Sequence, residues 1–487
     1  MTRHNLPNNV DTGILLNGIF RPATQGVTFD VVDPATEEVI AQVADSGPAE
    51  WDAALELAVA AQAEWNQLPP RTRSEILTAI YEAITAQAED FARTITLEMG
   101  KPLAEARGEV AYGAEYFRWF AEEAVRLPGR FSPAPAGNGS ILVTRNPVGP
   151  VLAITPWNFP LAMATRKIAP ALAAGCPVLV KPAAETPLTM LLLGKVIADV
   201  LAQYRAPQGI ISILPTTDAA KLSHVLMHDP RLRKVTFTGS TPVGKLLVQQ
   251  SADQLLRTSM ELGGNAPFVV AADANLELVL TCAMQAKMRN GGEACIAANR
   301  FLVDASIAEE FTSRLTAAMS EVVCGHGLDA GTTLGPIITA KQRDRIAALV
   351  DDAVANGAKV TVGGEVPTGP GYFYPATVLI DVPANAAIVN EEIFGPVATV
   401  STFATLEEGI ELANATEFGL AAYGFSESFH TVQRLASGLK AGMVGINRGV
   451  ISDAAAPFGG IKQSGFGREG GAEGIEEYLD IQYIALP

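Results

Sequence analysis

The chain has 487 residues, 48% hydrophobic and 18% charged, with a formal net charge of −17. That length exceeds what one hydrophobic core organises and implies two or three domains with a large buried interior. The acidic balance argues against nucleic acid or an anionic membrane surface as a partner.

The start, Met1 to Asn9, contains no apolar run of the kind a secretory signal needs. Residues 1 to 50 look like strands and turns covering a larger body. From about Ala49 to Glu109 the pattern turns helical, with Ile76, Ile80 and Ile84 on one face and an interruption at Gly100-Lys101-Pro102. Residues 127 to 145 are rich in Pro, Gly and Ser, which predicts an excursion from the main body.

Between Val148 and Asp253 strand-like and helical runs alternate. Val151–Ile154, Pro177–Lys181, Ile210–Ile213 and Lys234–Phe237 are β-rich, and Thr186–Gln203 carries Leu188, Leu192 and Val196 on one helical face. This is βαβ patterning, which predicts a parallel sheet with helices on both faces and a ligand at the carboxyl ends of its strands. Trp157-Asn158, Lys181 and Gly239-Ser240 stand at those ends. A second α/β alternation runs from about Met260 to residue 446. The tail ends in a strand-like run from Tyr478 to Leu486. None of the apolar stretches approaches the roughly 18 residues that span a bilayer. The four cysteines form no CxxC pair or zinc spacing, which suggests reduced thiols in the cytoplasm.

Taken from the residues alone, the candidate chemistry stays open. Cys295 follows the polar turn Asn290-Gly291-Gly292-Glu293 and is either a nucleophile beside a substrate or a small buried hydrophobe. Gly239 to Lys245 nearly matches a phosphate loop, but Leu246 replaces the magnesium-holding hydroxyl, so it is either a pyrophosphate cradle or a tight turn. Glu261, beside Gly263 and Gly264, is either a surface acid or a base with raised basicity. His224 and His228 lack a metal-binding context, and no metal is expected.

Seven stretches in one order resolve these choices: Pro156–Pro160, Lys181-Pro182, Phe237–Ser240, Glu261–Gly264, Gly292–Cys295, Glu392–Pro396 and Pro457–Gly460. Through them the chain resembles the NAD(P)-dependent aldehyde dehydrogenase superfamily over nearly its full length. The resemblance implies an α/β fold: a Rossmann-type cofactor domain from residues 1–126 and 147–255, a catalytic domain from 256–446, and a small β oligomerisation arm from 127–146 and 447–487. It implies a homodimer or homotetramer. Cys295 would attack the aldehyde to form a thiohemiacetal, then a thioester; Asn158 would stabilise the oxyanion; Glu261 would activate the hydrolytic water. Trp157, Lys181, Gly239, Ser240, Leu262, Glu392 and Phe394 would contact the cofactor. Ala184 replaces the Glu that repels a 2′-phosphate in NAD-strict members, so NADP is expected to be preferred and NAD accepted. Glu185 would undo this by turning inward.

Arg166, Arg289 and Ser452 resemble the carboxylate clamp of the succinate-semialdehyde branch, so an aldehyde bearing a carboxylate is expected, with unpaired buried arginines penalising a neutral one. Glutaric semialdehyde, a neutral aldehyde and a thiol-esterase activity are the alternatives. Glu261 argues against phosphate or coenzyme A as acyl acceptor. Ala297 occupies the place of a second, regulatory cysteine, so no disulfide switch is expected. Glu293 stands where the family more often has Gln, and its role is unassigned.

Overall fold

A computed structural model describes residues 5–487. Two large sheets dominate it. The first has eight strands in the spatial order Gly465–Phe466, Arg257–Glu261, Lys234–Thr238, Val151–Ile154, Val178–Lys181, Ile211–Ile213, Ile14–Leu16, Ile19–Arg21. Its five middle strands are parallel. Four of those five are buried at every residue, as strands covered on both faces must be. The helix Ala162–Ala174, all thirteen residues buried, covers part of one face, and Leu188–Gln203 follows the next strand.

The sheet is less purely parallel than the alternation predicts. The hairpin Ile14–Arg21 and the short strand Gly465–Phe466 cap its two edges in antiparallel fashion. Short, distant segments such as these carry no βαβ signal, yet they blunt edges that would otherwise stay unpaired.

From Val151–Ile154 the chain adds strands in one direction along the sheet, through Val178–Lys181 and Ile211–Ile213. It then returns to add Lys234–Thr238 and Arg257–Glu261 on the other side. The reversal opens a crevice beyond the carboxyl ends of Val151–Ile154 and Lys234–Thr238. Trp157-Asn158 and Gly239-Ser240 follow those two strands directly.

The second sheet has seven strands in the order Lys359–Val362, Thr377–Ile380, Val397–Phe403, Ala298–Asp304, Ala266–Val270, Ala421–Phe425, Met443–Ile446, antiparallel only at its first pair. The turn from Leu262 to Asn265 joins the two sheets. The carboxyl end of Arg257–Glu261 therefore sits next to the amino ends of Ala266–Val270 and Ala298–Asp304. A third sheet pairs Leu479–Leu486 with Ser140–Pro147 and that strand with Arg130–Pro133, all antiparallel. Among the described residues, no helix is long and apolar enough to cross a membrane.

Candidate active site

The helix Leu276–Met288, capped by the Asn275 side chain, aims its last turn at the junction of the two large sheets. It stops because Asn290, Gly291 and Gly292 take positive φ values of 56°, 60° and 76°. A Cβ on Gly292 would lie 2.2 Å from the Gly395 carbonyl, and one on Gly264 would lie 2.3 Å from the Cys295 carbonyl. Only glycine lets these segments close round the thiol. Cys295 is partly buried and unpaired in any disulfide. Burial pushes its thiol up to about 12; Arg166 pulls against that, while Glu392 and Glu261 add to it.

Asn158 is fixed from both ends. Its main-chain carbonyl accepts hydrogen bonds from Lys101 Nζ at 2.7 Å and from Asn290 Nδ2 at 3.0 Å. Its side-chain Nδ2 donates to the Glu293 carbonyl at 3.0 Å, which leaves its second N–H for another acceptor. Lys101 is itself held by a buried ion pair with Glu109 at 2.5 Å, and Glu109 also accepts the Leu161 N–H at 2.9 Å.

Glu261 is buried, and neither carboxyl oxygen has a hydrogen-bond partner. Burial, then the nearby Glu469, raises its carboxyl well above the usual carboxylate range, against the pull of Arg166, Lys167 and Arg468. Glu469 forms ion pairs with both Arg166 and Lys167, and Lys167 Nζ donates to Thr238 Oγ1 at 2.5 Å. Neither Lys167 nor Glu469 is singled out by the sequence reading. Lys167 adjoins Arg166, but Glu469 comes from the tail, and only the fold brings that tail across to the first sheet.

A cleft of about 510 Å³ is lined by Trp157, Asn158, Gly239, Ser240, Glu261, Leu262, Cys295, Glu392 and Phe394. The Trp157 and Phe394 rings meet edge to face with centroids 5.3 Å apart. Glu392 accepts the Gly264 N–H at 3.0 Å; burial raises its carboxyl to about 7, opposed by that bond and by Arg345 and Lys287. Lys245 and Arg345 also line the cleft and are two cations the sequence reading did not assign to it. Lys181 and Ala184 stand outside these walls, at and just after the end of the neighbouring strand. Burial lowers the Lys181 ammonium, and Glu185, exposed and beyond ion-pair distance, raises it.

Beyond Cys295 a narrow tunnel is lined by Tyr112, Phe159, Met163, Arg166, Arg289, Ala294, Cys295, Ile296, Ser452 and Phe458. Arg289 lies over the Phe159 and Tyr112 rings, 5.2 and 5.6 Å from their centroids, and donates to Ser452 Oγ at 3.3 Å without an acidic partner. Arg166 differs from expectation. It is fully buried, but its charge is met by Glu469, and its guanidinium stacks 4.1 Å from the Phe458 centroid. A neutral aldehyde would therefore not leave the Arg166 charge unpaired, although its Nη2 is buried without a hydrogen-bond partner. His228, also noted in the sequence, pairs with the His224 carbonyl and Asp253. A wider surface groove, about 690 Å³ along Ala308–Thr316 and Val400–Thr402, contains none of these groups.

The model of the aldehyde dehydrogenase family matches residues 20–484. The chain belongs to the aldehyde dehydrogenase family. It is 57% identical over 434 residues to the succinate-semialdehyde dehydrogenase of Paenarthrobacter nicotinovorans, covering 89% of this chain and 96% of that one. It is 42% identical to the NADP(+) succinate-semialdehyde dehydrogenase of Escherichia coli K12, over 97% of each chain. Among solved structures, the succinate-semialdehyde dehydrogenase of Burkholderia pseudomallei superposes with a TM-score of 0.95 at 42% identity, covering 99% of this chain and 98% of that one. The two-sheet architecture with a Rossmann-like half is thus the aldehyde dehydrogenase fold.

Proposed function

We propose that this aldehyde dehydrogenase oxidises succinic semialdehyde to succinate, with NADP preferred over NAD. The observation that carries the reading is that Cys295 lines two spaces at once, the cofactor-sized cleft and the narrow space that Arg166, Arg289 and Ser452 also line.

The cleft suits a dinucleotide. A Cβ on Gly239 would strike the Phe237 ring at 2.4 Å, so backbone stays close to the cleft at the start of the helix Thr241–Ser251. Ser240 caps no N–H of that helix, which leaves the first-turn donors and the positive dipole end for a pyrophosphate. Gly239, Ser240 and Lys245 would hold the phosphates, Glu392 a ribose, and Trp157, Leu262 and Phe394 the flanks of the nicotinamide. Lys181 would meet the other ribose, and small Ala184 leaves space for a 2′-phosphate. When bound, the nicotinamide supplies the acceptor for the hydrogen leaving the substrate carbon.

The remaining work falls to side chains of the chain. Cys295 Sγ attacks the aldehyde carbon, and the free N–H of Asn158, with the Cys295 main-chain N–H, receives the oxyanion; losing one such donor costs on the order of 10²–10³ in rate. Burial favours the protonated thiol, so attack requires the Sγ proton to pass to water while negative charge gathers on the substrate oxygen that Asn158 receives. Glu261, once deprotonated, takes a proton from water attacking the thioester, and the charges of Glu469, Arg166 and Lys167 set how readily it does so. Arg289 and Ser452 grip the substrate carboxylate, with Arg166 Nη2 as a further donor.

The partition into a cofactor unit (1–126 and 147–255), a catalytic unit (256–446) and bridging segments (127–146 and 447–487) belongs to the same proposal. So do the cytoplasm as its place, where its thiols stay reduced, and a homodimer or homotetramer as its assembly.

The test is NADPH formation with succinic semialdehyde, glutaric semialdehyde and butyraldehyde. Arg289→Ala should raise KM for the two semialdehydes about 10–100-fold, the worth of one charge-assisted bond, and leave butyraldehyde within about two-fold. An equal effect on all three would remove the clamp. Ester hydrolysis that proceeds as fast without cofactor would favour the esterase.

A further inference from the structure

Glu293 stands inside the active-site loop, yet no step above uses its carboxyl. It is 2% exposed, no cation lies within ion-pair distance, and the one hydrogen bond it accepts is long, 3.4 Å from the Ile338 N–H. The main chain of the same residue, by contrast, is the hub of the oxyanion site. The Glu293 carbonyl accepts Asn158 Nδ2 at 3.0 Å and Asn290 Nδ2 at 2.9 Å, and Asn290 Nδ2 also reaches the Asn158 carbonyl at 3.0 Å. One Cα therefore carries both a buried acid and the carbonyl that sets the plane of the Asn158 amide. Asn290 bridges the two carbonyls from a left-handed conformation, φ 56° and ψ 36°.

We propose that Glu293 is a positioning residue that works uncharged: as a neutral acid it lets the loop close and hold Asn158 in place, and loss of its proton unseats the amide. The inference rests on the reading of Asn158 as the oxyanion donor. The charged groups around the loop are Lys101, Glu105 and Glu109 from the helix side, and Lys287 and Arg289 from the preceding helix. The segment Ile337-Ile338 that faces the carboxyl brings no titratable group. Of these groups only Lys101 acts on Glu293, and it is already paired with Glu109. Burial holds the carboxyl well above the usual range, with the Ile338 N–H and Lys101 opposing it less strongly. An ionised Glu293 would be a buried charge without a partner, which a loop relieves by opening toward water.

The experiment is the pH dependence of single-turnover NADPH formation in the holoenzyme, from neutral to strongly alkaline pH, for the unaltered chain, Glu293→Gln and Asn158→Ala. Dividing each rate by the rate of Cys295 alkylation with iodoacetamide removes the ionisation of the thiol itself. The expected result is an alkaline fall of at least about ten-fold in the unaltered chain, with KM little changed. In Glu293→Gln that fall should be absent and the neutral-pH rate within about three-fold. The proposal is overturned if Glu293→Gln shows the same fall, or if the unaltered chain shows none. If Asn158→Ala acylates at the full rate, the oxyanion reading itself fails, and that outcome is distinct from either of the others.

Discussion

Glu261 is the residue whose state at rest differs most from its role. A carboxyl with two unpartnered oxygens and Glu469 nearby is a neutral acid, and it becomes a base only after giving up that proton. Its base form accumulates as pH rises, so thioester hydrolysis should accelerate with rising pH above the ordinary carboxylate range. Glu261→Gln should keep a full NADPH burst but slow steady turnover on the order of 10²–10⁴-fold; loss of the burst would make Glu261 part of acylation instead. Arg166→Ala should lower kcat as well as raise KM, because Glu469 would then be left with Lys167 alone; an effect on KM only would count against this coupling. Ala184→Glu should turn preference toward NAD by at least about ten-fold in kcat/KM, by setting like charges together; an unchanged ratio would detach position 184 from the cofactor. Most of these residues are legible in the sequence through the family stretches that hold them or place them, such as Glu261–Gly264 and Lys181-Pro182. Glu469 is not: nothing local distinguishes an acid after Arg468, and its role arises only where the tail crosses to Lys167.

At the scale of elements, the helix Leu276–Met288 carries a cost in its last turn. Lys287 is fully buried; its Nζ donates to Asn299 Oδ1 at 2.8 Å and meets no carboxylate within ion-pair distance. Burial lowers its ammonium to about 7, with Glu392 acting weakly the other way. The unfolded chain keeps the ordinary value of about 10.4. Between those values the unfolded state binds more protons, so this group's contribution to stability rises with pH across that window. Below about pH 7 both states are protonated, and the full penalty of the buried charge applies. Lys287→Met should therefore gain in Tm relative to the unaltered chain more at pH 6 than at pH 9. The orphaned Asn299 oxygen costs about the same at every pH and cancels from that comparison. A Tm difference independent of pH would show that Lys287 is solvated. The strands and helices of the first alternation were legible because buried parallel strands are continuous apolar runs. The edge strands Ile14–Arg21 and Gly465–Phe466 were not, since their pairing partners lie far off in sequence.

At the scale of the molecule, the small third sheet shows apolar side chains to water. Ile481 and Tyr483, two residues apart on the strand Leu479–Leu486 and so on the same face, are 67% and 63% exposed. With Val143 and Ile141 on the neighbouring strand they form an apolar strip of the kind a second copy of the chain would cover. Replacing both with Lys should shift the species seen by light scattering toward monomer with the monomer fold retained; an unchanged mass would move the interface elsewhere. The Pro, Gly and Ser content of residues 127–145 reads only as an excursion, and the family resemblance alone makes it and the last strand an arm between subunits. Neither shows which faces stay bare, because that depends on the register of three strands drawn from two ends of the chain.

The turn from Leu262 to Asn265 has a consequence for engineering. It joins the two sheets, but neither site divides there: Glu392 and Phe394 of the cleft lie downstream of it, and Phe159, Met163 and Arg166 beside the thiol lie upstream. Hybrids cut there would carry walls from both donors in each site, so coenzyme and aldehyde preference should shift together. Such a graft must also bring the segment from Gly465 onward with the upstream donor, since that stretch edges the first sheet and seats Glu469 against Lys167; a two-piece chimaera that ignores the tail would mismatch the partners of that buried ion pair.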